Sequence, residues 1–163
     1  MFRVAALVLT VALAVAVALA VACGGGDGGG GGADRASPTA SEDLTRSAEA
    51  GGITVEGTWL VAEGLGEVDA DLSAYPLDRF ALIEIGFTTH SGDLNKVDME
   101  QAATLSEAGA DIRPEAWIGL SDDPHHRAGV LVFERTEAGG PVELTVDMGD
   151  DEEVALVWES PPA

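Results

Sequence analysis

Three histidines are the residues of this chain whose side chains and spacing best suit chemistry. They are the only histidines in 163 residues, with His90 in one segment and His125 and His126 in another. Neutral imidazole is a good ligand for copper and zinc, and three nitrogens that leave one position open suit either metal. Carboxylates of the same two segments belong to this candidate site: Asp93, Asp122 and Asp123. The pattern predicts a copper or zinc site if the fold brings the two segments together.

The alternative interpretation gives these histidines no metal. Successive residues of an extended chain point to opposite sides, so His125 and His126 share a metal only where the loop turns. In this alternative, His90 and one member of the pair hydrogen-bond to loop backbone, while the other is solvated. We therefore expect no cofactor, and we keep copper or zinc as the alternative expectation.

Motifs for enzymatic chemistry are missing from the sequence. Ser121 lies in Gly-Leu-Ser-Asp-Asp, which lacks the second glycine of the Gly-x-Ser-x-Gly nucleophile elbow. The glycine tract at 24–32 has no strand ahead of it, as a phosphate-binding loop requires. The acids at 147–153 lack the spacing of a calcium-binding EF-hand loop and indicate a solvated turn. We expect a protein that is not an enzyme.

The charge and the cysteine content exclude several classes of protein. Lys and Arg total 8 against 29 Asp and Glu, which gives a formal net charge of −21. Such a chain is repelled by nucleic acids and by anionic lipid surfaces. A single cysteine, Cys23, excludes an intramolecular disulfide and a zinc site built from four cysteines.

The first 23 residues have the pattern of an export signal. One arginine precedes an apolar run at 4–22, and small residues then lead to Cys23. Residues 19–23, Leu-Ala-Val-Ala-Cys, resemble the lipobox of bacterial lipoproteins. The resemblance implies that a signal peptide (1–22) is removed and that a diacylglycerol is attached to the Cys23 thiol. Ala20 stands where this family most often has Leu.

An uncleaved transmembrane anchor is the alternative, because the apolar run is long enough to cross a bilayer. Both interpretations keep the end with Arg3 in the cytoplasm and place the remainder outside. We expect an extracytoplasmic protein of a bacterial cell envelope, held to the membrane through its N-terminal lipid.

Two regions follow the signal. Residues 23–52 are predicted to be a flexible tether, since the glycine tract and the polar stretch after it offer little apolar surface to bury. Residues 53–160 are predicted to be one all-β domain. Alternation of apolar and polar residues indicates about seven strands: 53–62, 79–89, 100–106, 111–118, 129–134, 142–148 and 153–159.

Short strands with frequent turns favour an antiparallel β-sandwich of immunoglobulin-like type, with a small barrel as the alternative. Residues 125–133, followed by the alternating strand 142–148, resemble immunoglobulin-like domains of bacterial surface lipoproteins. The resemblance covers about the last 40 residues and implies a fold and a location, but no reaction.

The sequence leaves two functions open. The first is a membrane-anchored, non-enzymatic binding or interaction module of the cell envelope, whose expected partner is another envelope protein or a small ligand, met at the strand-end loops. The second is an extracytoplasmic metal-binding lipoprotein that uses His90, His125 and His126.

Overall fold

The computed structural model describes residues 44–135, 139–149 and 152–162. These residues form two antiparallel sheets, which confirms the prediction of an all-β sandwich. The strands are β1 (Thr45–Ala50), β2 (Ile53–Trp59), β3 (Phe80–Thr89), β4 (Ala103–Glu107), β5 (Ala110–Ile112), β6 (Ala116–Asp122), β7 (His126–Glu134), β8 (Val142–Gly149) and β9 (Glu152–Trp158). Short helices are two 3-10 turns, Leu65–Glu67 and Leu94–Lys96, and one α-helical turn, α1 (Met99–Ala102). No helix in the described part of the chain is long and apolar enough to cross a membrane.

The main core lies between the two sheets. One sheet has the strand order β1-β2-β3-β7-β6, and the other has the order β5-β4-β8-β9. Alternate residues of each strand face inward, as period-two patterning requires. Buried side chains therefore come from both sheets, among them Ile83, Phe87, Leu131, Leu144 and Trp158.

A second core covers the outer face of the five-stranded sheet. The long connection from β2 to β3 packs Leu60, Val68 and Leu72 against Leu82 and Val132. Strands β3 and β7 are consequently buried on both faces over part of their length. This explains why each carries a continuous apolar run rather than a strict alternation.

Strand β1 corrects the predicted boundary between tether and domain. Residues 45–50 lie inside the predicted tether, 23–52, but they pair along their whole length with β2. Arg46 Nε donates to Val157 O across the sandwich at 2.8 Å, and Leu44 O accepts from Trp158 Nε1 at 2.7 Å. The strand is therefore held by contacts with distant residues. Its small and polar side chains carry no local pattern that predicts a strand. The rest of the predicted tether, 23–43, lies outside the described residues.

The structure also divides the predicted strand 111–118 into two. Strand β5 stays beside β4, and β6 crosses to the other sheet and pairs with β7. Pro114 lies between them and has no backbone N–H for a ladder. With β1, this division gives nine strands in the described residues, against about seven predicted.

Two local elements follow from their residue types. The hairpin around 107–110 forms with Ala108 and Gly109 at φ of 50° and 82°, which is the left-handed region that a tight turn needs. Helix α1 begins after Asp98, which caps it by accepting from the Glu100 backbone N–H at 3.2 Å.

The two ends of the sandwich differ in the segments they carry. At the Leu44 end, Thr45 faces Thr58 and Trp59 N donates to Leu44 O at 3.0 Å. At the histidine end lie the β1–β2 turn, the connection 90–98 and the β6–β7 turn. The chain thus enters the described domain at the end opposite the histidines.

Candidate binding site

The two histidine segments meet at the histidine end. Thr89 N donates to His125 O at 3.0 Å, and Leu94 N donates to Pro124 O at 3.0 Å. In the ladder of β3 and β7, Thr88 lies opposite His126. The first condition for the predicted metal site, a shared end of the sandwich, is therefore met.

The second condition, a converged ligand set, is not met. No group of three His, Cys, Asp or Glu side chains within the described residues is arranged to hold a metal ion. His90, His125 and His126 are all exposed. The His126 ring approaches the Thr88 hydroxyl, with Nδ1 and Oγ1 3.4 Å apart. The fold brings the segments together without aiming their imidazoles at one point.

Asp123 organises the turn instead of facing a metal. Its Oδ1 accepts from the backbone N–H of His125 at 2.8 Å and of His126 at 2.9 Å. The His125 hydrogen bond is the largest influence, and it lowers the pKa of Asp123 from 3.8 against an opposing effect of burial. The His126 hydrogen bond and the charges of both imidazoles lower the pKa further. Oδ1 of this carboxylate therefore serves to close its own loop.

The other two predicted aspartates also contribute to loop structure, Asp93 through its carboxylate and Asp122 through its backbone oxygen. Asp93 Oδ1 accepts from Asn95 N at 3.1 Å and so caps the 3-10 turn Leu94–Lys96. Asp122 accepts through its backbone oxygen, from Asn95 Nδ2 at 2.7 Å. Asn95 therefore joins the 90–98 connection to the β6–β7 turn. Cys23, the predicted lipidation residue, lies outside the described residues.

An open cleft of about 750 Å³ lies at the histidine end. Its walls are the β1–β2 turn, the 91–98 connection and the end of β8. Two of its acidic residues hold local structure: Asp98 accepts from Gln101 Nε2 at 2.6 Å, and Asp147 Oδ1 accepts from Gly149 N at 2.8 Å. The carboxylates of Asp98 and Asp147 therefore already serve the fold.

A second cavity, of about 380 Å³, shares residues 96–98 with this cleft. Trp117 and Arg127 form part of its wall. Arg127 is only 9% exposed, and its Nη1 donates to Leu94 O at 2.8 Å and to Val97 O at 2.6 Å. The guanidinium carbon lies 5.2 Å from the Trp117 ring centroid, in cation–π geometry. We call this second cavity the Arg127 cavity.

The sequence contains a signal for Arg127 that the prediction of sites missed. Arg127 has the same parity along β7 as Gly129, Leu131 and Phe133, which face the main core. A lone arginine at an inward position of a buried strand needs partners inside the protein. That parity by itself indicates a buried guanidinium.

Comparison of this chain with protein-family models, with curated proteins and with solved structures gave no match. The residues and their geometry are therefore the basis for assigning a function.

Proposed function

We propose that the protein is a bacterial lipoprotein that is anchored through Cys23 and acts as a non-enzymatic binding module outside the cytoplasmic membrane. One observation carries the proposal: the described domain is entered at the Leu44 end, whereas its open cleft lies at the histidine end. A module that is tethered at one end and open at the other is suited to binding partners beyond the membrane surface.

The length of strand β3 gives the distance between the two ends of the domain. Strand β3 has ten residues and runs between the two ends, so at ~3.3 Å per residue it spans about 30 Å. Strand β1 is pinned at its start by the hydrogen bond from Trp158 Nε1 to Leu44 O. A tether attached there joins the domain at the end opposite the cleft, so its point of attachment leaves the cleft open.

The charge favours a particular kind of partner. A formal net charge of −21 disfavours anionic lipid headgroups and favours neutral or basic surfaces. We propose another envelope protein as the partner, met by the loops of the histidine end. Assignment of the sandwich to the immunoglobulin-like class is part of this proposal, and its two antiparallel sheets are consistent with it.

The metal-carrier alternative has one observation in its favour and one against it. The segments of His90, His125 and His126 share one end of the sandwich. A set of three converged ligands is missing from the described residues. The binding module is therefore the better supported function.

Lipid labelling tests the anchor. The full chain, expressed in a bacterial host fed an alkyne-bearing fatty acid, should acquire the label and fractionate with membranes. Cys23→Ser should lose the label, because serine provides no thiol for the diacylglyceryl group. Ala20→Leu, which brings 19–23 closer to the lipobox, should keep it. Label in Cys23→Ser, or none in the unmodified chain, contradicts the anchor.

Chemical labelling tests the orientation. His90→Cys places a thiol on the exposed histidine end, and a membrane-impermeant maleimide should react with it on intact spheroplasts. The unmodified chain is the control, since acylation blocks its one cysteine. A His90→Cys chain that reacts only after lysis would place the domain in the cytoplasm and overturn the proposal.

A further inference from the structure

Arg127 is a buried cation without a carboxylate partner among the described residues. Its described hydrogen bonds go to two neutral backbone carbonyls, Leu94 O and Val97 O. Neutral acceptors satisfy N–H groups but do not balance the charge. Burial of a charge is costly unless it is paired, so this site favours an anion.

The unused edge of the guanidinium is the one that binds planar anions. Nε is buried and has no hydrogen-bond partner, and the described bonds use Nη1 alone of the two terminal nitrogens. Nε and Nη2 together form the side-on fork of arginine. Two parallel N–H groups in this geometry match the two oxygens of a carboxylate.

The Arg127 cavity provides space and further charge for such a ligand. Its volume, about 380 Å³, lies at the lower end of the range for small-molecule sites. Lys96, the only lysine of the chain, is exposed on its wall. The half-buried Trp117 ring adds an apolar surface.

The acidic residues on the same wall have other partners. Asp98 accepts from Glu100 N through Oδ1 and from Gln101 Nε2 through Oδ2. Glu100 Oε1 accepts from Trp117 N at 3.2 Å, which covers the outer edge of β6. These carboxylates build the wall, whereas Nε and Nη2 of Arg127 have no described hydrogen-bond partner.

We propose that the Arg127 cavity binds a small organic carboxylate, with the carboxylate on Arg127 and an apolar body against Trp117. This deepens the binding-module function by naming a ligand class, and it rests on that function for its biological setting. Because Nε is closed to solvent, binding also shifts the indole that stacks on the guanidinium.

Benzoate and its neutral isostere benzamide are the probes. The full chain in non-ionic detergent is titrated with each at constant ionic strength, and tryptophan fluorescence and the melting temperature are recorded. Benzoate should bind saturably, one per chain, and raise the melting temperature. Benzamide should bind at least about tenfold more weakly, since it cannot form the charge-assisted fork.

Two variants and one control connect binding to the cavity. Arg127→Lys keeps the charge but removes the fork, and should weaken benzoate binding about tenfold or more. Lys96→Gln should weaken benzoate binding about two- to fivefold. Because Lys96 is exposed, this variant should fold, and it tests the cavity even if Arg127→Lys fails to fold. Arg79→Lys is the control, since Arg79 also stacks on an aromatic ring, that of Phe80, at 5.3 Å, and lies outside the cavity.

Four results would overturn the proposal. Three concern the ligand: benzamide or inorganic phosphate binds as tightly as benzoate, or sodium chloride gives the same response as benzoate. The fourth is benzoate binding that is unchanged in Lys96→Gln and in any folded Arg127→Lys. Any of them would mean that the Arg127 cavity does not recognise an organic carboxylate. The titration does not depend on Cys23, so its failure is distinguishable from failure of the lipid anchor.

Discussion

Gly129 of β7 is the position where one added methyl group should disturb this domain most informatively. A Cβ atom there would lie 2.4 Å from Cη2 and Cζ2 of Trp117 and 2.7 Å from Ile118 O. The first contact is with a ring held in place by the Arg127 guanidinium, and the second is with backbone. Neither neighbour can yield as the end of a flexible side chain would, so Gly129→Ala must displace the indole or strand β6.

The magnitude follows from two opposing effects. Overpacking of a buried site costs about 1–3 kcal/mol. Replacement of glycine by alanine in an unstrained strand raises the free energy of unfolding by about 0.4–1 kcal/mol, because the unfolded chain loses conformational freedom. We expect Gly129→Ala to lower the free energy of unfolding by about 1–2 kcal/mol, or the melting temperature by about 4–8 °C.

Urea denaturation of fragment 36–163 measures this effect, with Gly86→Ala as the matched control. Gly86 lies in the neighbouring strand of the same sheet, and a Cβ there would meet nothing within 4 Å. Gly86→Ala should leave stability unchanged or raise it by about 0.4–1 kcal/mol. In a Trp117→Val background, Gly129→Ala should lose the part of its cost that the indole causes and keep the part that Ile118 O causes. Equal effects of Gly129→Ala and Gly86→Ala would refute the packing argument, and an unchanged cost without the indole would refute the role of Trp117 in it.

Three further predictions address the turn, the first strand and the histidines. Asp123 has a lowered pKa, so its contribution to stability is present above 3.8 and is lost as the pH falls through the folded value. The urea midpoint of Asp123→Asn should therefore fall less steeply at acid pH than that of the unmodified chain. The same fall in both proteins would contradict the role of Asp123 in the turn. Trp158→Phe removes the hydrogen bond to Leu44 O and should cost at least about 1 kcal/mol. Amides 45–50 should then exchange with deuterium faster, and unchanged exchange would show that the indole does not hold β1. Calorimetric titration with Cu(II) and Zn(II) should show no one-to-one binding that depends on His90. Stoichiometric binding lost in His90→Ala would restore the metal site.

Much of the fold is predictable because alternation is a local property. The apolar side chains of residues 83–87 and 142–148 repeat every two positions, and these segments lie in β3 and β8. Turn residues act locally as well, so the hairpin at Gly109 and the cap at Asp98 are predictable from the chain. Strand β1 is not, because its place depends on Arg46 and Leu44 reaching residues more than 100 positions away.

The sequence by itself determined the all-β class, the principal strands, the acidic character and the cysteine that we expect to carry the lipid. The tertiary structure decided which side chains of the histidine end face one another. Residue types set what the His90 and His125 segments can bind, but the pairing of β3 with β7 and the Asp123 turn set where their rings lie. The same pairing directs Arg127 inward, where burial makes its unpaired fork costly. Register and burial depend on the packing of distant segments, so the site took its form only in the folded chain.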